Sequence, residues 1–196
     1  MRFLFLAAAF ALIAAPASAQ RATTDGLFLQ VSADAQSLFF NEDDFDQRDD
    51  GTGLSLRAGY GVSRVVTLYL GLAGSRVEGA TNGVIDQPYD WGGGEIGARV
   101  NLLPSRRLQP YLDVALRGVE ARNDDFNLEF RGGGVTVGGG VAYFVSPAVA
   151  LDAGLRFGGG GFNEVQLGRF SVDTDPDDLG YGEGRLSLGA TFYPLR

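Results

Sequence analysis

The side chains with chemistry to offer in this chain are carboxylates and arginines. Histidine, cysteine and lysine are absent, and all 16 basic residues are arginine against 24 acidic ones. Arginine does not give up its proton in proteins. Without histidine or cysteine there is no Ser-His-Asp triad, thiolate nucleophile, zinc finger, iron–sulfur cluster or disulfide. Ion pairing between carboxylates and arginines is the chemistry the spacing points to. Nine charged residues stand out by their spacing: Asp34, Arg57, Glu95, Arg99, Asp113, Arg117, Asp152, Arg156 and Arg185. Each falls on the polar side of a segment in which every second residue is apolar. Four acids against five bases is a nearly neutral set, within a chain of net charge −8.

Apolar residues recurring at every second position mark strands rather than helices. Eight such segments follow residue 26, at roughly 27–38, 53–62, 66–76, 91–103, 109–119, 133–145, 149–158 and 184–193, separated by glycines and Asp/Asn clusters. One face is apolar but for Gly139, with Leu54, Leu56, Leu68, Leu70, Leu72, Val114, Leu116, Leu155 and Leu188 as examples and no charged member. The other is polar and crowded with glycine. Net acidity argues against nucleic-acid binding, which needs a basic face.

Two architectures fit: a soluble barrel or sandwich with the apolar face inside, or a membrane barrel with that face in lipid. Three features favour lipid. The apolar face has more large side chains than a small eight-stranded interior can hold. The polar face carries glycine where a solvated surface would carry Lys and Glu. Connections alternate between short, around Arg64, Arg106 and Pro147, and long, at about 39–52, 77–90, 120–132 and 159–183; alternating short periplasmic turns and long external loops are a bacterial barrel's pattern. Tyr60, Tyr143, Phe157 and Phe192 lie near strand ends, where interfacial girdles form. Trp91 has the wrong parity for the outer face unless a bulge in Gly92-Gly93-Gly94 resets it.

The first nineteen residues read as a secretory signal peptide. Arg2 precedes the apolar run Phe3–Ala15, and Ala17-Ser18-Ala19 supplies a small-x-small site, with cleavage leaving Gln20 first. The run is short for a membrane helix, and Pro16 breaks it. The expected division is therefore 1–19 signal peptide and 20–196 barrel.

The stretches Leu56-Arg57-Ala58-Gly59-Tyr60-Gly61-Val62-Ser63, Gly139-Gly140-Val141-Ala142-Tyr143-Phe144-Val145-Ser146-Pro147 and Leu151-Asp152-Ala153-Gly154-Leu155-Arg156-Phe157 resemble the outer membrane protein A-like, or opacity-type, family of eight-stranded barrels. The resemblance spans the mature chain. It implies an all-β, antiparallel, up-and-down transmembrane barrel in the outer membrane of a Gram-negative bacterium. It also implies a monomer that meets outer-membrane lipids and is inserted by the barrel-assembly machinery.

On that reading the nine charged residues line a lumen just wide enough for side chains. Within one strand Glu95 and Arg99 are ~13 Å apart and cannot pair. A turn centred on Arg106 sets Glu95 opposite Arg117 and Arg99 opposite Asp113, which predicts two cross-strand salt bridges. Removing Arg117 is then expected to strand Glu95. The function expected is non-enzymatic: structural, anchoring or limited small-solute permeability, with the lumen plugged by Arg–Asp/Glu pairs and no cofactor or metal. Two alternatives stay open, a soluble periplasmic barrel binding an apolar ligand and a surface adhesin acting through acidic loops. A lipid-modifying enzyme would want a His that the chain lacks.

The acidic residues Glu42, Asp43, Asp44, Asp46, Asp49 and Asp50, and Glu164, Asp173, Asp175, Asp177, Asp178 and Glu183, read as solvated loops. Asp173-Thr174-Asp175-Pro176-Asp177 departs from a calcium loop at its Gly and Glu positions. Gly132-Gly133-Gly134 and Gly158-Gly159-Gly160-Gly161 read as flexible strand ends.

Overall fold

The computed structural model describes residues 24–40, 48–79, 87–123, 128–167, 170–173 and 180–194. The expected signal peptide, its cleavage site and the carboxylates 42–46, 175, 177 and 178 lie outside these residues. Among the described residues nine strands form: β1 (Gly26–Phe40), β2 (Arg48–Gly61), β3 (Val66–Glu78), β4 (Tyr89–Asn101), β5 (Leu108–Asn123), β6 (Leu128–Ser146), β7 (Val149–Leu167), β8 (Phe170–Asp173) and β9 (Gly180–Phe192). Each of β1 to β7 pairs antiparallel with the next, and β9 pairs with both β7 and β1. These eight strands close an up-and-down barrel with no edge. β8 is a four-residue return that pairs only with the tip of β7.

The short turns share one end of the barrel with Gly26 and Phe192. In the first, the Ser63 hydroxyl accepts hydrogen bonds from the Val65 and Val66 amides at 3.2 and 3.1 Å, a local side-chain-to-backbone turn. In the second, Ser105 takes a left-handed backbone (φ 70°), and Gln109 Nε2 donates to the Arg106 carbonyl at 2.9 Å.

The expected apolar face is the outside. Leu54, Leu70, Leu72, Leu116 and Leu188 are each at least 60 % exposed, and Tyr60, Tyr143, Phe157 and Phe192 are also on this surface. That rules out the soluble alternative, which required this face inside.

The strands run further toward the long-loop end than the sequence pattern suggests. β6 and β7 have 19 residues each, against the 9–11 or so that cross a bilayer. On β6 the outward apolar positions run from Tyr143 to Val135, and beyond them come Gly133 and Arg131. The parity then inverts. Above the apolar band, Leu38, Val77, Tyr89, Trp91, Val119, Ala121, Phe162 and Tyr181 are buried inside, while Arg48, Asp50, Arg76, Asp90 and Arg122 face outward. The chain changes solvent there. In lipid the greasy side faces out; above it, where water surrounds the wall, the greasy side faces in. A period-two reading that expects one parity stops at this boundary, although the backbone ladder continues.

Three expectations are corrected by this extension. Trp91 needs no bulge to face outward, because it belongs inside, 1 % exposed, in an unbroken β3–β4 register. Asp49, Asp50, Glu164, Asp173 and Glu183 lie in strands rather than loops. The glycine runs are paired sheet, with Gly133 opposite Gly161 and Gly134 opposite Gly160. A Cβ at Gly134 would sit 2.6 Å from the Tyr181 hydroxyl and 2.3 Å from the Gly159 carbonyl oxygen. Bare backbone is therefore what lets the aromatic cluster fill the upper lumen. One bulge in β7, at Asn163, shifts the register so that Phe162 opposes Gly132 and Glu164 opposes Arg131.

Candidate functional site

The interior is built in three tiers. The floor, nearest the short turns, is Phe28, Tyr69, Ala115, Ala142, Phe144, Ala150 and Tyr193. Tyr193 stacks on Phe144 at 5.5 Å between ring centroids and tilts against Phe28 at 6.2 Å. The roof is the upper cluster, where Trp91 meets Tyr181 edge-on at 5.1 Å and Phe162 at 6.1 Å. Between them lies the charged tier.

All nine sequence-selected residues are buried in that tier, none more than 8 % exposed. Strand alternation places them there: Asp34 on β1, Arg57 on β2, Glu95 and Arg99 on β4, Asp113 and Arg117 on β5, Asp152 and Arg156 on β7, Arg185 on β9.

The register expected from a turn centred on Arg106 is the observed one, with Glu95 opposite Arg117 and Arg99 opposite Asp113. Of the two expected ion pairs Arg99–Asp113 is present, at the long distance of 3.9 Å, and Glu95–Arg117 is not; the hydrogen-bonded pairs are different. Arg57 Nε donates to Glu95 Oε1 at 2.6 Å, and Arg156 Nη1 reaches the same oxygen at 3.1 Å. Arg156 Nη2 donates to Asp113 Oδ2 at 2.6 Å. Arg99 Nη1 donates to Asp152 Oδ2 at 3.2 Å and stands 3.9 Å from Asp113. Arg117 Nη1 donates to both carboxylate oxygens of Glu183, whose Oε2 is also 3.5 Å from Arg185 Nη2. Glu95 is thus bound to Arg57 and Arg156, not to its facing neighbour. Cβ atoms of facing residues lie ~4.5–5.5 Å apart, less than the reach of an arginine, so in a narrow barrel the guanidinium extends across to another wall.

Glu183 is the member that sequence reading missed, because it was assigned to the last acidic loop. Counting it, five acids (34, 95, 113, 152 and 183) meet five arginines (57, 99, 117, 156 and 185), and the tier is formally neutral. Two tyrosines also join. Tyr111 Oη donates to Asp152 Oδ1 at 2.7 Å, and the Arg99 guanidinium lies 3.7 Å from the Tyr111 ring centroid. Arg156 Nη2 donates to Tyr69 Oη at 3.3 Å. Gly140 makes room for Tyr111, since a Cβ there would fall 2.5 Å from its hydroxyl. Arg117 also lies 6.0 Å from the Trp91 ring, linking the charged tier to the roof. Higher up, Tyr89 Oη donates to buried Asp49 at 3.0 Å. The signal for Tyr111 was available, because its parity within β5 matches Asp113 and Arg117.

Outside the wall, above the apolar band, the exposed pairs Arg48–Asp50 at 2.9 Å and Arg76–Asp90 at 3.0 Å form a charged collar, and Arg131 pairs with the more buried Glu129. Among the described residues no group of three or more carboxylates, His or Cys is placed to hold a metal ion.

Comparisons with known proteins agree with the architecture. The family model described as "Outer membrane protein beta-barrel domain" matches residues 5–192. Among solved structures, the chain is similar to Neisserial surface protein A, at 20 % identity over 86 % of this chain and 97 % of that one, with a TM-score of 0.66. The outer membrane protein AlkL is 16 % identical over 89 % and 93 %, and OprG from Pseudomonas aeruginosa 10 % over 87 % and 96 %; both have TM-scores of 0.56. A comparison with curated protein sequences gives no match. Identities this low speak for the fold alone. The chain belongs to the outer membrane protein β-barrel domain family, and its place is the outer membrane of a Gram-negative bacterium.

Proposed function

We propose that this barrel is a non-enzymatic envelope protein whose lumen is plugged, serving a structural or anchoring role in the outer membrane. One observation carries the reading: a charge-balanced tier of five arginines and five carboxylates is enclosed between an aromatic floor and an aromatic roof. A solute path through eight strands has little width to begin with, and here side chains occupy it at three levels. The absence of histidine and cysteine leaves no Ser-His-Asp triad and no thiolate nucleophile.

With every barrel strand paired on both sides, the wall has no edge to offer another subunit. The protein acts as a monomer whose partners in the membrane plane are lipids, after insertion by the barrel-assembly machinery. The test is reconstitution of the purified full-length protein in planar bilayers. Steady baseline current at moderate voltage is expected; sustained channel openings in the unmodified protein would contradict a plugged lumen.

A further inference from the structure

The two ends of the barrel differ in charge. At the short-turn end the charged side chains on the surface are Arg64, Arg106 and Arg107, against Asp25 alone among the described residues. The strand tips at the other end carry Asp50, Glu78, Asp90 and Glu120 beside Arg48, Arg76 and Arg122. The backbone of each arginine at the short-turn rim is tied inward. The Arg64 carbonyl accepts from the Thr24 hydroxyl and the Arg106 carbonyl from Gln109 Nε2, both at 2.9 Å, and the Arg107 carbonyl accepts from the Phe144 amide at 2.8 Å. Thr24, Gln109 and Phe144 are all buried. The two turns are also joined to each other, since the Asn101 amide donates to the Val65 carbonyl at 2.7 Å. A fixed rim thus leaves its three arginine side chains exposed. Arg64 stands 3.4 Å from Asp25, and Arg106 and Arg107 have no acidic partner among the described residues.

The apolar surface does not stop short of these arginines. Val62 and Val65 flank Ser63-Arg64, and Leu102, Leu103 and Leu108 flank the pair Arg106-Arg107; four of these five are more than half exposed. They continue the lipid-facing band of Leu68, Val100 and Leu112 without a break. Hydrocarbon therefore reaches the turns themselves. An arginine at that depth lays its stem along acyl chains and raises its guanidinium to the headgroup layer. What it meets there is phosphate, which a guanidinium binds through paired N–H donors. Three positive charges against one negative favour a lipid of net negative charge over a zwitterionic one, whose own cation competes for the phosphate.

We propose that the short-turn rim is a docking surface for anionic phospholipid: Arg106 and Arg107, seconded by Arg64, hold headgroup phosphates while Leu102, Leu103 and Leu108 hold the chains below them. Short turns face the periplasm in barrels of this kind, so the leaflet gripped is the inner one of the outer membrane. The inference rests on the anchoring reading and gives it a chemistry, and the two fail separately. Ion current through the unmodified protein overturns the plugged lumen and leaves the lipid preference standing; loss of the preference overturns this inference and leaves the plug.

The test reads lipid preference at the rim itself. Trp91→Phe with Tyr143→Trp leaves one tryptophan, directly opposite Leu108 in the β5–β6 register. The full-length protein is placed in phosphatidylcholine vesicles at low salt, and its fluorescence is quenched with brominated phosphatidylglycerol or brominated phosphatidylcholine. The anionic lipid should be preferred at this site by about fivefold or more, the effect of one arginine at an anionic surface. Arg106→Gln with Arg107→Gln should bring the ratio close to one, Arg106→Lys with Arg107→Lys should keep most of it, and Arg76→Gln at the far end should leave it unchanged. Equal quenching by the two lipids with all three rim arginines present would overturn the proposal, as would a preference that persists in the double glutamine variant. Purified peptidoglycan sacculi supply the last arm. Co-sedimentation of the detergent-solubilised protein that is lost with Arg106 and Arg107 would assign the rim to the cell wall and overturn the lipid assignment; none is expected.

Discussion

Arg156 is where the charged tier is most exposed to a single substitution. Its guanidinium donates to Asp113 at 2.6 Å, to Glu95 at 3.1 Å and to Tyr69 at 3.3 Å. In Arg156→Met the apolar stem stays and the charge goes. Glu95 keeps Arg57 at 2.6 Å, but Asp113 retains only Arg99, 3.9 Å away and beyond hydrogen-bond length. One buried carboxylate is stranded. Breaking a buried pair on one side costs ~3–5 kcal/mol, a fall of roughly two orders of magnitude or more in the folding constant at ~1.4 kcal/mol per tenfold. The assay is guanidinium titration in phospholipid vesicles, followed by the fluorescence of Trp91, the only tryptophan and 1 % exposed. Asp113→Asn added to Arg156→Met should recover much of the loss, because the uncompensated charge is gone. A loss below about 1 kcal/mol in the single variant, the range of solvent-screened pairs, would refute the picture of a tightly held, mutually dependent tier.

Other outcomes follow from the same geometry. Removing Arg117 takes from Glu183, not Glu95, its bidentate partner and leaves it only Arg185 at 3.5 Å, so Glu183→Gln should offset part of the loss in Arg117→Met, whereas Glu95→Gln should not; paired denaturant titrations decide this. Leu70→Arg, on the lipid face, should cost ~2–4 kcal/mol in vesicles, whereas Arg76→Ala in the exposed collar should change stability by less than ~1 kcal/mol. Gly140→Ala places a Cβ 2.5 Å from the Tyr111 hydroxyl and 2.3 Å from the Ala153 carbonyl oxygen, and should lower the unfolding midpoint by the ~1–3 kcal/mol typical of overpacking. Protein purified from membranes should have Gln20 as its first residue by intact mass, if residues 1–19 are a signal peptide.

Within the bilayer the fold was legible from alternation alone, because lipid enforces a single rule on every strand. Leu54, Leu70 and Leu155 on one parity, with Arg57, Glu95 and Arg156 on the other, suffice to place the wall and its interior. The β4–β5 register followed from one turn. Partner choice followed only for the long Arg99–Asp113 pair, since it depends on which wall an arginine crosses to, and nothing local to β4 and β5 says that Arg117 ends on Glu183 of β9. The upper barrel was misread for a different reason. Above the apolar band the burial rule reverses, so Asp49, Glu183 and the glycine runs looked like loop while the strands continued. Trp91, with Leu38 and Val119, is apolar yet out of step with the lipid-facing set, and these residues signal the reversal.

The account stands on hydrocarbon surrounding the apolar face, and the chain's lack of cysteine makes that directly measurable. Single cysteines at Leu70, Leu155 and Ser187, each carrying no competing thiol, can be offered a membrane-impermeant maleimide in intact vesicles and, separately, tested for contact with nitroxide-labelled acyl chains. Leu70→Cys and Leu155→Cys should resist the maleimide and report strong acyl contact, and Ser187→Cys should show neither. Rapid aqueous labelling at positions 70 and 155, with acyl contact no greater than at 187, would contradict the lipid-facing barrel.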